Sequence, residues 1–201
     1  MKKIVHFLFF LALMTSPLFS EMKVLAFAGS TREESYNKKL IQDAADIAKQ
    51  MGASVTVIDL KNYPMPFYDG DLENKQGLPK NAKRLQQLMI KSDAIIIATP
   101  EYNSSLSAVL KNTLDWVSRD EKGGYSPAAY KGKRFALMSA SPGPGGGKRA
   151  AANLRTIIEA IGGTVISRQV SIPNASEYFS QKKRAENPLL KEEIAQLLNP
   201  Q

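Results

Sequence analysis

The sequence predicts a three-layer, doubly wound α/β fold built on a five-stranded parallel sheet, and three observations carry that expectation. Short apolar runs alternate with stretches of helical period from Met22 to the end of the chain. The run from Asp93 to Thr99 is apolar almost throughout, as a strand covered on both faces must be. Three of the runs end in loops rich in Gly, Ser, Pro and Asn, residues that turn a strand into a helix.

The elements follow in order. Met22 to Ala28 reads as a buried strand, and Gly29-Ser30-Thr31-Arg32 leads from it to a helix beginning near Tyr36. Leu40, Ile41, Ala44, Ile47, Ala48 and Met51 give that helix its apolar stripe, and Gly52 stops it. Val55, Val57 and Ile58 make the second strand, ending at Asp59. The segment 62–79, with Pro64, Pro66, Gly70 and Gly77, reads as a long irregular loop, in which Tyr63, Phe67 and Tyr68 either meet a ligand or anchor the loop. Ala82, Leu85, Leu88 and Met89 mark the second helix, Asp93 to Thr99 the third strand, and Leu106, Val109, Leu110, Leu114 and Val117 the third helix. Lys133 to Ser141 is the fourth strand, followed by the glycine loop 142–147. Leu154, Ile157, Ile158 and Ile161 give a fourth helix ended by Gly162, Gly163 to Ile172 a fifth strand, and Leu190, Ile194, Leu197 and Leu198 a fifth helix. No internal repeat and no second domain is visible, so residues 22–201 are expected to form one domain.

For five strands and five helices the expected strand order is 2-1-3-4-5, the flavodoxin-like arrangement. Strands one, three and four then lie side by side, with the topological switch between one and three. Their following loops open on one crevice at the carboxyl end of the sheet, where ligands of such folds bind. The first loop is built to hold a phosphate. Ser30 and Ser35 offer hydroxyls, Arg32 offers a two-pronged donor, and the helix start adds unpaired amides. A plain turn capped by Ser35 is the competing reading. The loop lacks the GxGxxG spacing of a dinucleotide site, and Pro142 and Arg149 break the Walker pattern around Gly143 to Lys148, so a single terminal phosphate fits best.

Composition narrows the chemistry. With 201 residues and 43% hydrophobic content, the chain has enough apolar surface for a core without staples. Cysteine is absent and His6 is the sole histidine, so residues 22–201 contain neither thiol nor imidazole. Ser-His and Cys-His catalysis are excluded, zinc or copper chemistry is disfavoured, and an organic cofactor is expected to carry any reaction. The net charge of +8 becomes +7 without Lys2, Lys3 and Glu21, which favours anionic ligands. Apart from the run Lys182-Lys183-Arg184, read as a solvated surface, the basic residues are spread out.

Residues 1–21 have the layout of a secretory signal: Lys2 and Lys3, then an apolar run from Ile4 to Met14. Leu18 fits the cleavage rule poorly, and a run this short is not a membrane span. The alternative is a start at Met22 and a cytoplasmic protein, to which the reading leans.

Four stretches then become recognisable in order: Gly29-Ser-Thr-Arg-Glu-Glu-Ser-Tyr-Asn37, Pro100-Glu-Tyr-Asn-Ser-Ser105, Lys111-Asn-Thr-Leu-Asp-Trp116 and Ser141-Pro-Gly-Pro-Gly-Gly-Gly147. From Met22 to about Ile172 the chain resembles the NADPH-dependent FMN reductase family, flavodoxin-like enzymes that include quinone, azo-dye and chromate reductases. The resemblance implies noncovalent FMN, with its phosphate held by Ser30, Arg32, Ser35 and Asn37. Its ring edge would meet Pro100, Glu101, Tyr102, Asn103 and Ser104, and Ser141, Gly143 and Gly146 would lie near the ring. It further implies NADPH as cosubstrate, a small-molecule acceptor such as a quinone, azo compound or free flavin, no catalytic side chain, and a homodimer or homotetramer. Lys111, Asn112, Asp115 and Trp116 are expected to serve packing and subunit contact; Arg119, Lys122 and Lys148 are candidates for the NADPH phosphates. Ser104 and Ser107 depart from the pattern, standing where Gly and Pro are expected. Two rival readings remain, a flavodoxin-type electron carrier and a basic module that binds nucleic acid or an anionic partner.

Overall fold

The structure is a computed structural model that describes residues 21–166, 168–181 and 186–199. The leader, His6 and the basic run 182–184 lie outside them. In chain order the elements are β1 (Lys23–Ala28), α1 (Tyr36–Gln50), β2 (Ser54–Asp59), a 3-10 turn at Leu60–Asn62, α2 (Gly70–Gln76), α3 (Lys80–Ile90), β3 (Ala94–Thr99), α4 (Ala108–Val117), β4 (Arg134–Ala140), α5 (Lys148–Ala160), β5 (Thr164–Val165), β6 (Val170–Ile172), α6 (Ala175–Tyr178) and α7 (Pro188–Leu198). The sheet is parallel throughout, in the order β2-β1-β3-β4-β5, and β6 also pairs with β4. The flavodoxin-like order expected from the sequence is therefore the one observed.

Strand alternation sorts the core into two layers. Val24, Ala26, Ala28, Ile96, Ala98, Ala136 and Met138 face α1 and α7, meeting Leu40, Ile41, Ile47, Leu190, Ile194 and Leu197. Leu25, Phe27, Ile95, Ile97, Phe135 and Leu137 face the other way, onto Leu85, Met89, Leu110, Leu114, Leu154 and Ile158 of α3, α4 and α5. Every residue of β3 is buried. Burying one Leu, Ile or Phe side chain stabilises by about 1.5–3 kcal/mol, so these paired layers fix the central strands rigidly and with them the loops at their carboxyl ends.

Two expectations are corrected. Segment 62–79 is not wholly irregular. Asp69 caps α2 by accepting from the amides of Asp71 (2.8 Å) and Leu72 (3.3 Å), and Gly77 ends it at φ 69°. A seven-residue helix whose sole large apolar residue is Leu72 leaves no period to read. The fifth strand is not continuous either. Arg134 pairs with Thr164 but Met138 with Val170, so the edge gains two residues between the pairs and bulges. Arg155 donates to the carbonyls of Val165 (3.4 Å) and Ile166 (2.6 Å), which replaces ladder bonds where pairing is interrupted.

Candidate functional site

The loops after β1, β3 and β4 meet in one cleft, lined among others by Ser30, Arg32, Ser35, Asn37, Glu101, Tyr102 and Ser141. The first loop enters it over a tight floor. Gly29 donates its amide to Ala98 (2.8 Å), extending the β1–β3 ladder, and a Cβ at this position would stand 2.8 Å from the Leu110 side chain. The close approach that demands glycine here is thus to α4. Ser107 completes the joint: its hydroxyl donates to the Gly29 carbonyl (2.6 Å) and accepts from the Leu110 amide (3.3 Å), capping α4. A residue flagged as a departure from the family pattern proves to be a tie between the first loop and α4.

The donors of the first loop remain unspent. Ser35 occupies the N-cap position of α1, yet its hydroxyl makes no capping bond, contrary to the plain-turn reading. Ser30 is buried, and its hydroxyl accepts a long bond from the Arg32 amide (3.4 Å). Glu33 and Glu34 are taken by Lys61 (2.8 Å) and Lys39 (2.9 Å). Among the described residues no carboxylate pairs with the exposed Arg32, so its guanidinium faces solvent beside the cleft. Asn37 differs. It is buried, with its amide nitrogen donating to the Ala140 carbonyl (3.0 Å) and its oxygen accepting from the Ala140 amide (2.9 Å). The Asn37 side chain thereby pins the start of α1 to the end of β4 where it lines the cleft.

On the β3 side, Tyr102 and Ser105 exchange two backbone bonds of 3.0 Å around Asn103 and Ser104, whose φ values are 49° and 66°. This is a two-residue turn of the primed type, which favours glycine and places a serine in the left-handed region. The Glu101 carboxylate is engaged by the start of α5. It accepts from the amides of Arg149 (3.1 Å) and Ala150 (3.3 Å) and from the Arg149 guanidinium, so it caps α5. Arg149 and those amides hold its carboxyl below the usual 4.5. Asn153 reinforces the same joint, donating to the Ser104 carbonyl at 3.0 Å.

The glycine loop is shaped by packing as much as by any ligand. Gly147 has φ 81°, and a Cβ there would meet Ser139 at 2.9 Å. The Ser139 hydroxyl donates to the Gly146 carbonyl (2.8 Å), and Ser141 accepts from the Gly143 amide (3.2 Å). Ala140, Pro142 and Tyr36 also line the cleft. They were not singled out in the sequence, being chain neighbours of the motif residues. Tyr36 is held by stacking on Phe179 (5.6 Å) and by its hydroxyl against Ser176 (2.8 Å).

Within the third motif Asn112 and Trp116 pack, as expected, while Lys111 and Asp115 form an exposed ion pair. Asn112 and Trp116 both donate to the Pro66 carbonyl (2.9 and 2.8 Å), and Asn112 accepts from the Tyr68 amide (2.8 Å). Tyr68 anchors the loop, edge-on to Trp116, while Phe67 stands exposed. Arg119 pairs through Nε and Nη2 with the buried Glu73 (2.9–3.1 Å) and the Gly123 carbonyl, so most of its guanidinium is engaged within the protein. Lys122 and Lys148 are exposed.

The cleft itself encloses about 80 Å³, room for a phosphate-sized group; across Tyr102, which lines both, lies a larger hollow of about 610 Å³. Among the described residues no group of three His, Cys, Asp or Glu is placed to hold a metal ion, and no helix is long and apolar enough to cross a membrane.

In sequence and fold the chain is similar to known proteins. A model of the NADPH-dependent FMN reductase family matches residues 22–177. An NAD(P)H-dependent FMN reductase of Pseudomonas aeruginosa is 32% identical over 179 residues, 89% of this chain and 92% of that protein. An NADPH:quinone oxidoreductase of Arabidopsis thaliana is 36% identical over 129 residues, 63% of this chain and 62% of that protein, under two thirds of its length. Among solved structures, the flavoenzyme NAD(P)H:(acceptor) oxidoreductase of Paracoccus denitrificans superposes with a TM-score of 0.66 at 25% identity, covering 87% of this chain and 98% of that one.

Proposed function

The chain belongs to the NADPH-dependent FMN reductase family, and from that premise we propose that the described cleft seats the flavin nucleotide and serves reduction of a quinone or related planar acceptor. Membership makes the protein an oxidoreductase with FMN as cofactor and NAD(P)H as donor, and sets the carrier and nucleic-acid readings aside. The observation that carries the assignment of the cleft is the unspent donor set of the first loop: Arg32 without a carboxylate partner and Ser35 without its capping bond. A phosphate would satisfy both, together with the Ser30 hydroxyl and the first amides of α1.

When bound, FMN supplies two-electron chemistry that the polypeptide lacks, so that NADPH, a proton and a quinone become NADP and a hydroquinone. The chain's own part is positioning. Pro100, Glu101, Tyr102, Asn103 and Ser104 would present backbone groups to the ring edge, held in place by the Glu101–α5 cap. Ser141, Gly143 and Gly146 would leave the ring's approach free of bulky side chains. With no imidazole or thiol in residues 22–201, protons come from water at the open rim. Assembly as a homodimer or homotetramer belongs to the same reading and is measured by sedimentation of the full chain.

Titration of flavin-free protein with FMN, followed by flavin fluorescence, tests the site. Tight binding is expected for the wild type. Arg32→Ala should weaken it about 10- to 100-fold, the loss of a charge-assisted contact worth about 1.5–3 kcal/mol. Wild-type protein that binds no FMN, or a variant of unchanged affinity, overturns the assignment.

A further inference from the structure

The C-terminal helix carries a titratable group that the flavin assignment does not use. α7 lies against α1, β4 and β6, and its apolar stripe of Leu190, Ile194 and Leu197 joins a layer that includes Leu40 and Ile41 of α1, Met138 and Ala140 of β4 and Ile172 of β6. That layer backs the joint where Asn37 pins α1 to Ala140, behind the first loop. On the same helix Glu193 is 1% exposed, and neither of its carboxyl oxygens meets a hydrogen-bond partner among the described residues. Three charges act on it: Arg155 of α5 and Arg168 of the edge bulge favour its ionised form, and the neighbouring Glu192 opposes them. Neither Asp43, the buried acid of α1, nor Arg134 of β4, which meets the Leu198 carbonyl (3.4 Å), is among them. Both of the facing arginines are already engaged. Arg155 donates to the Val165 and Ile166 carbonyls and to Glu159 (3.0 Å), and Arg168 donates to Glu192 (2.8 Å). Burial therefore prevails and pushes the Glu193 carboxyl from 4.5 up to about 8.

Two responses to loss of that proton compete. A charge buried without donors is among the costliest things a protein interior can hold. α7, by contrast, is a terminal helix of 11 residues held by one apolar stripe, and helices of that length are marginal on their own in water. Loosening the helix is the cheaper response. We infer that α7 is a proton-operated latch, docked while Glu193 is neutral and loosened when it ionises, so that the wall behind the first loop is held most firmly at low pH. Because the docked state keeps a proton that the loosened state gives up, docking is favoured fully below about pH 4.5 and that advantage is lost as pH rises to about 8.

Amide exchange of the full flavin-free chain, read on peptides spanning 188–198, tests the latch. Protection in the wild type relative to Glu193→Gln at the same pH should fall by about tenfold per pH unit between roughly pH 5 and 8 and then level off. A ratio that does not change with pH, or one that rises with it as expected of a Glu193 ionised against Arg155 and Arg168, overturns the inference. Infrared spectroscopy gives a second reading that does not need the variant to fold: the wild type at pH 7 should show a protonated-carboxyl band that titrates away near pH 8, and its absence overturns the inference equally. FMN affinity, whose link to α7 rests on the cleft assignment above, should weaken with rising pH more steeply in the wild type than in Glu193→Gln; equal slopes overturn the connection to the cleft. Protein that binds no FMN at any pH refutes the cleft assignment alone, and exchange and infrared still decide the latch.

Discussion

The two sides of the crevice are built from the same kinds of residues used in opposite ways. On the β1 side, the side chains of Arg32 and Ser35 close on nothing among the described residues, while the neighbouring acids Glu33 and Glu34 are neutralised by Lys61 and Lys39. On the β3 and β4 side the polar side chains are spent. Glu101 caps α5, Asn153 holds the hairpin, Ser139 holds the glycine loop, and Asn37 crosses from one side to the other to pin Ala140. A polar side chain at the rim is thus without a protein partner among the described residues on one side and a strut on the other. Substitution should separate the two classes, with struts changing the melting temperature of the flavin-free protein and ligand groups changing affinity alone.

The strongest way to break this division is Asn37→Ala. It leaves the amide and carbonyl of a buried residue, Ala140, without partners, at roughly 1–3 kcal/mol each when fully desolvated. We expect a loss of about 2–4 kcal/mol in the flavin-free protein, or roughly 5–15 °C by differential scanning calorimetry. A variant that melts like wild type and merely binds FMN more weakly would return Asn37 to the ligand class. Ser35→Ala should do the reverse. Removing a serine N-cap ordinarily costs about 1 kcal/mol, but here the hydroxyl makes no capping bond, so thermal stability without flavin should be kept while FMN affinity falls several-fold.

Glu101→Gln sharpens the comparison through pH. The folded carboxyl is held below its usual 4.5 by Arg149 and two amides, so its contribution is full above about pH 4.5 and is lost as pH falls through the lowered value. The contribution is modest, about 1 kcal/mol, because Arg149 is two-thirds exposed and its pairing is screened. Stability curves of wild type and variant should therefore lie apart at neutral pH and converge as pH falls through the lowered value. A gap that persists into acid would mean that shape, and not charge, is what Glu101 supplies.

Most of the architecture was legible because its signals are long-range and redundant. Continuous apolar runs gave the central strands, helical spacing gave α1, α3, α4 and α5, and the strand order followed from chain alternation. What escaped were short elements held by single contacts: α2, fixed by the Asp69 cap, and the edge bulge, fixed by Arg155. The site was legible in location but not in the employment of its residues. Type and spacing cannot distinguish an arginine that faces solvent from one that closes on a carboxylate, and so Arg32 and Arg119 look alike until Glu73 is seen beside the latter.

The smallest effect concerns Ser104, and it bears on how firmly the strut side is held. The turn between Tyr102 and Ser105 needs φ of 49° and 66° at its two central residues, and an L side chain in that region pays about 1 kcal/mol that glycine avoids. Ser104→Gly also loosens the unfolded chain, which offsets part of the gain. The net expectation is a rise in stability of a few tenths of a kcal/mol, with the Asn153 bond kept because it is accepted by the Ser104 carbonyl. Calorimetry of the flavin-free variant measures it. A fall instead would show that the Ser104 hydroxyl makes a contact in solution that outweighs the strain, and that the hairpin, like the rest of its side of the crevice, is held by side chains.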